Sequence, residues 1–299
     1  MPVQHSGFIA CRLTLVTLIC LVVCLPSITF AQQTFDTPAL AAEAFVNAVA
    51  QKDTKALASI LGDDWKEFIP TDDIDQTDVD AFLAAWNNQH HFKQIAYGKG
   101  LIAVGSEDWT LPIPIVKEGE RWHFDTRAGA EEMRTRRIGR NELAVMQAVM
   151  AYYDAQKEYA LIDRNGDGML EYAQRLISST GHHDGLYWPV SEGEAESPLG
   201  PLFGNDTPGN DYYGYYYRIL TAQGPDAPGG AYDYLINGRM RAGFALVAWP
   251  VAYGDAGVIT FLISHDGRVY QKDLGPDTDK IARAMTRFNP DASWKAVSP

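Results

Sequence analysis

One stretch of the 299-residue chain has the residue types and spacing to do chemistry. Asp163-Arg164-Asn165-Gly166-Asp167-Gly168-Met169-Leu170-Glu171 matches the oxygen-rich calcium-loop pattern D-x-[DN]-x-[DN]-G. Calcium is a hard cation that takes about six to eight oxygens. Side chains at loop positions 1, 3 and 5 are Asp163, Asn165 and Asp167; Gly168 at position 6 lets the chain turn sharply enough for them to reach one centre. Position 7 offers the Met169 carbonyl, and position 9 is Glu171. Position 12, where a bidentate Glu normally closes the shell, is Gln174. Losing that charge and oxygen predicts weak binding, on the order of 10⁻⁴–10⁻³ M. The sequence has no second loop of this kind to pair with it. The competing reading is a helix exit rich in Asx turns that needs no metal.

Other candidates are weaker. His182, His183 and Asp184 could bind zinc or act as acid and base, but neighbours on an extended chain point to opposite sides. They lie in a long connection, residues 178–210, that also holds Trp188, Glu192, Glu194 and Glu196. No G-x-S-x-G or S-x-x-K nucleophile motif and no Gly-rich phosphate loop occurs. Arg127, Arg134, Arg136, Arg137 and Arg140 stand out in an acidic chain. They read either as an anion or partner patch or as a solvated helix face salt-bridged to the rest of the protein.

Composition bounds what these residues can serve. Hydrophobic residues are 46% and charged residues 21%, the balance of a globular protein. The net charge of −13 disfavours a nucleic-acid partner. The start of the chain reads as a secretory signal. Arg12 is followed by an apolar run over residues 13–25, then Pro26, with Thr29 and Ala31 as the small residues before a cleavage point. The run is short for a membrane span of about 20 residues, so cleavage after Ala31 is favoured over a retained anchor. A lipoprotein box at Leu21-Val22-Val23-Cys24 is disfavoured by the bulk of Val23. Cys11, Cys20 and Cys24 all fall in this segment. The mature chain would therefore have no cysteine, and disulfides, thiol catalysis and Cys-ligated zinc drop out.

Two groups of elements must position the candidates. Thr37-Pro38 opens an Ala-rich helix, Asp53 caps a second that buries Leu57, Ile60 and Leu61, and Thr77 with Asp80 reads as the capping box of a third through Val79, Phe82, Leu83 and Trp86. The period then becomes two, with strands expected over residues 91–97, 101–104, 110–116 and 121–125. The arginine-rich stretch 127–140 reads as a hinge. A long helix over 141–161, capped by Asn141, follows with Leu143, Met146, Met150 and Tyr153 as its stripe, widened by Val145, Val149, Tyr152 and Tyr159. Strands are expected over 212–220, 231–236, 244–250, 258–264 and 268–272, then a helix over 279–287. Asn237-Gly238 and Asp266-Gly267 are the turn signals. The fold class is α+β. The expected organisation is a signal over 1–31, a helical-plus-curled-sheet domain over 35–137, and a long helix packed on an antiparallel sheet over 138–299.

Three resemblances bear on this layout. Phe35-Asp36-Thr37-Pro38, Asp53, Trp65 and Trp122-His123-Phe124-Asp125 resemble nuclear-transport-factor-2-like domains. That likeness implies a cone that holds a small ligand and sometimes an acid–base pair, here Asp64, Asp108 and His123. Asn141-Glu142-Leu143, Ala155-Gln156-Lys157-Glu158-Tyr159, Phe244-Ala245-Leu246-Val247-Ala248-Trp249-Pro250 and Phe261-Leu262-Ile263-Ser264-His265-Asp266-Gly267 resemble the soluble part of pilins and pseudopilins. An apolar filament helix upstream is lacking, so that likeness implies a reused module. Asp108-Trp109 with Pro112-Ile113-Pro114, Arg137-Ile138-Gly139-Arg140-Asn141-Glu142, Gly185-Leu186-Tyr187-Trp188-Pro189 and Lys272-Asp273-Leu274-Gly275 identify the chain as similar to a bacterial exported family, the domain of unknown function 2950.

These readings converge on an exported envelope protein, periplasmic or extracellular. The favoured function is a non-catalytic binding or structural module with a weak calcium site. Its partner would be an envelope protein or a small ligand, with no nucleic acid and no membrane span after signal cleavage. The alternative is a carboxylate- and His-dependent hydrolase or isomerase working in a cone or interdomain pocket.

Overall fold

A computed structural model describes residues 32–71, 74–190, 196–200 and 211–297. The expected signal sequence lies outside the described residues. The chain is α+β, and all named strand pairs are antiparallel. Helices α1 (Pro38–Ala50), α2 (Thr54–Leu61), α3 (Trp65–Phe68) and α4 (Gln76–Asn88) come first. Strands β1 (His90–Ala96), β2 (Lys99–Val104), β3 (Trp109–Thr110), β4 (Ile115–Glu118) and β5 (Arg121–Phe124) follow, in the order β1-β2-β4-β5 with β3 beside β2. Thr37 and Asp53 cap α1 and α2 as expected from their side-chain chemistry. The capping box of α4 is formed by Asp75 and Asp78, not by Thr77 and Asp80, because the helix begins at Gln76, which makes Asp75 the N-cap and Asp78 its N3 residue. Phe45, Val46, Ile60, Leu61 and Trp65 pack against Ile102, Val104, Ile115 and Phe124 to form one core.

Helix α5 (Thr126–Tyr159) runs unbroken for 34 residues. The arginine-rich stretch is therefore helix, not hinge, and Asp125 caps it by accepting from the Ala128 amide at 3.0 Å. Asn141 does not start a helix; its side chain instead donates to the Ala256 carbonyl at 2.8 Å. Alternating Arg and Glu one turn apart hold this part of the helix: Arg134 pairs with Glu131, and Arg136 pairs with Glu132 while donating to the Thr110 carbonyl. Arg137 pairs with Asp255.

The rest of the chain builds a second core on a six-stranded sheet. Its strands are β6 (Asp211–Tyr212), β7 (Tyr215–Leu220), β12 (Ala245–Pro250), β13 (Ile259–Ser264), β14 (Val269–Asp273) and β15 (Lys295–Val297), ordered β15-β14-β13-β12-β7-β6. Short pairs, β8 (Ala222–Gln223) with β9 (Tyr232–Asp233) and β10 (Leu235–Ile236) with β11 (Arg239–Met240), and helix α6 (Thr278–Ala284) complete it. The expected strand over 212–220 is a hairpin. Tyr213 and Gly214 both take positive φ, 53° and 68°, and turn β6 back on β7. The face of α5 that enters this core is Val145, Val149, Tyr152 and Tyr159, which are buried, whereas Leu143 is 63% exposed.

Gln156 sits wholly buried in that face. Its Nε2 donates to the Ala173 carbonyl at 2.8 Å, and its Oε1 accepts from the Ala173 amide at 2.8 Å. Nε2 also donates to the Tyr152 hydroxyl at 3.1 Å, which in turn donates to the Ala245 carbonyl of β12 at 3.2 Å. Burial pushes the Tyr152 hydroxyl far above its ordinary pKa, so it stays a donor. One amide thereby ties α5, the chain that returns from it, and the central sheet. Gln156→Leu would leave a buried amide and carbonyl of Ala173 unpaired, at about 1–3 kcal/mol each. Thermal melts should show a fall in Tm of roughly 5–10 °C; a change under about 2 °C would show that the clamp carries little.

Candidate functional site

Helix α5 ends at the acidic loop, and the loop is built by its own backbone. Asp163 accepts from the Gly166 amide at 2.8 Å through Oδ1 and from the Gly168 amide at 2.7 Å through Oδ2. Gly166 and Gly168 have φ of 75° and 82°, conformations that side chains other than glycine rarely adopt. Asn165 Oδ1 accepts from the Asp167 amide at 3.2 Å, and Asp167 Oδ1 from the Met169 amide at 3.0 Å. Asn165 Nδ2 donates to Glu171 Oε1 at 3.0 Å. Four of the expected ligands, Asp163, Asn165, Asp167 and Glu171, thus belong to one hydrogen-bonded turn system. The Gly168 amide, and then that of Gly166, hold the Asp163 carboxyl below the usual carboxylate range.

One expected ligand is turned elsewhere: Gln174 Nε2 donates to the Gly238 carbonyl at 3.0 Å. At Met169 the expected ligand is the backbone carbonyl; its side-chain sulfur lies 3.3 Å from Arg241 Nη1. Both contacts go to the β10–β11 hairpin and the residue just after it; the hairpin turn is the expected Asn237-Gly238, with φ of 50° and 78°. That hairpin also brings Arg239 onto the loop, where it pairs with Asp167. Sequence reasoning missed Arg239. The only signal was a cation next to an Asn-Gly turn, and nothing in the spacing linked it to a loop about 70 residues away.

The oxygens have the hard character calcium prefers, but they are engaged. Both Asp163 oxygens hold backbone amides, and Asp167 holds a guanidinium. Among the described residues, no three His, Cys, Asp or Glu side chains are grouped to hold a metal ion.

The other candidates are dispersed. Asp184 accepts from the Ser179 amide at 2.6 Å and its hydroxyl at 2.8 Å, which depresses its carboxyl pKa. His183 stacks on Trp188 at 4.2 Å, and His182 Nδ1 lies 3.1 Å from the Thr180 carbonyl, so the three neighbours do not converge. His123 and Asp64 line one cleft of about 400 Å³ with Asp63, Asp125 and Arg127. Asp64 lies 3.9 Å from Arg127. Asp108 is elsewhere, 3.9 Å from both His91 and Lys93.

A family model described as protein of unknown function, DUF2950, matches residues 32–297. The chain belongs to the DUF2950 family. No curated protein and no solved structure matches it. Among the described residues of this DUF2950 chain, no helix is long and apolar enough to cross a membrane.

A carboxylate whose pKa is lower in the folded state stabilises the fold above its unfolded pKa, about 3.9 for Asp, and loses that contribution as pH falls through the folded value. Asp163→Asn should therefore melt below the wild type at pH 7. The gap should narrow steadily below about pH 4. A gap that stays constant from pH 7 to pH 3 would mean that the Asp163 charge does not hold the loop.

Proposed function

We propose that the chain is an exported, non-catalytic binding or structural module whose loop at the end of α5 is a low-affinity calcium site. The observation that carries the non-catalytic part of this reading is the engagement of the candidate acids with local partners. Asp64 faces Arg127, Asp108 faces His91 and Lys93, Asp184 is held by Ser179, and Asp167 is held by Arg239. A general acid or base needs its proton within hydrogen-bond reach of a reacting group; Asp184 and Asp167 are tied down by close contacts, and Asp64 and Asp108 each face a cation at 3.9 Å. The match to residues 32–297 begins one residue after the cleavage point expected from the sequence, which supports export of the segment that follows. The separate hydrophobic clusters on either side of α5 support a division into two modules joined by that helix. The pilin-like and cone-like resemblances are compatible with that division. The alternative, a hydrolase or isomerase, has its support in the cleft shared by His123 and Asp64.

Arg239 gives the calcium reading a specific form. Its guanidinium is the loop's built-in counter-charge, and a divalent ion that binds there competes with it. Binding to the folded state raises stability by RT ln(1 + [Ca]/Kd), about 1.4 kcal/mol at ten times Kd. The experiment uses protein from the exported fraction, whose first residue is expected to be Gln32. Raising calcium from micromolar to 10 mM should raise its Tm, and Asp163→Ala should abolish the rise. Arg239→Gln should move the midpoint to lower calcium by removing the competitor. A flat curve in both the wild type and Arg239→Gln would reduce the loop to a turn.

A further inference from the structure

Arg164, the second residue of the same loop, stands apart from every other feature of it. Its guanidinium carbon lies 4.7 Å from the centre of the Tyr159 ring and 5.0 Å from that of Trp188. The rings are themselves fixed. Trp188 is buried and stacked on His183, and the Tyr159 hydroxyl donates to the His183 carbonyl at 3.0 Å. Arg164 Nε is buried with no hydrogen-bond partner, and the side chain makes no ion pair among the described residues. Yet the residue as a whole is only half-buried, so its remaining donors keep a path to solvent.

This combination is unusual for a purely structural arginine. Arg218 also stacks on a ring, that of Trp249, but its donors are used as well: it donates to the carbonyls of Ala282 and Arg283 at 2.7 and 2.8 Å at the end of α6. Arg164 is instead held against two aromatic rings, and its donors make no hydrogen bond or ion pair among the described residues. A planar fork held this way matches a carboxylate, which accepts two parallel N–H bonds. Stacking on aromatic rings removes the rotamer entropy that a free arginine would lose on binding.

The surroundings select the kind of anion. Asp163 precedes Arg164 directly, Glu158 is one of the charges acting on it, and the whole chain carries −13. One arginine amid acids suits a singly charged ligand and disfavours a doubly charged phosphate. Leu161 and Ile162, three and two residues before Arg164 in the chain, are 75% and 54% exposed and give this end of α5 an apolar surface. We propose that Arg164, stacked against Tyr159 and Trp188, is the anion-binding residue of a ligand site that takes a singly charged carboxylate carried on an apolar body. The site does not depend on the calcium reading, and its test is run in chelator so that the two fail separately.

The measurement is the Nε–Hε resonance of Arg164 in ¹⁵N-labelled mature chain, titrated with octanoate, acetate, octylammonium and inorganic phosphate. Octanoate should shift it saturably. Acetate and phosphate should need at least tenfold higher concentration, and octylammonium should leave it unmoved. Octanoate binding followed by calorimetry should weaken at least tenfold in Arg164→Lys, which keeps the charge but not the fork, and further in Arg164→Gln, with unchanged far-ultraviolet circular dichroism. Equal octanoate affinity in Arg164→Lys and wild type, an equal response to phosphate, or no shift with octanoate would each overturn the proposal. If Arg164→Gln fails to fold, the comparison with Arg164→Lys and the ligand series still decides.

Discussion

The second core of this protein turns on a buried side-chain amide. Gln156 offers Ala173 one donor and one acceptor, the pairing that a neighbouring strand would otherwise provide. A helix cannot normally do this, because its own backbone groups face along its axis. Here a single glutamine converts one face of α5 into a strand partner for the returning chain. That fixes where the chain re-enters after the acidic loop, and with it the position of everything between Tyr159 and Ala173. The Tyr152 hydroxyl passes the constraint on to β12. Buried polar networks of this kind are stabilising only when every member is paired, and these members are.

Helix α5 has two different jobs along its length. Its last third is apolar on one face and buried. Its middle is polar and is held by directional contacts: Arg137 to Asp255, Asn141 to the Ala256 carbonyl, and Glu142, whose Oε1 accepts from the Val258 and Ile259 amides at 2.9 and 3.0 Å. These contacts fasten the helix to the β12–β13 connection and the start of β13 without apolar burial. Ion pairs at such exposed positions contribute little individually, about 0–1 kcal/mol; the two backbone amides held by Glu142 are the firmer anchor.

That division of labour explains what the sequence revealed and what it hid. The strands β12 and β13 were legible because continuous apolar runs end at turn residues, as at Asp266, whose carboxylate accepts from the Ser264 hydroxyl and the Arg268 amide and turns the chain into β14. The acidic loop was legible because its glycines sit where positive φ is required. The start of α5 was not, since the helix periodicity of 126–140 is carried by Glu–Arg pairs rather than by apolar residues, and a charged stretch after strands reads as a connection. The β6–β7 turn was hidden because Tyr213 takes a conformation more usual for Asn. Arg239, Gln156 and the stacking of Arg164 were invisible for a common reason. Each acts on a partner brought near only by the fold, so no local pattern could reveal it.

The account stands or falls on whether the chain after the loop is held by Gln156. Native-state amide exchange at Ala173 measures this directly, because that amide has a side chain, not a strand, as its acceptor. The account predicts exchange as slow as that of the β12 amides, reached only when the core opens. Exchange at Ala173 as fast as at Gly166 and Gly168 in the exposed loop would contradict it.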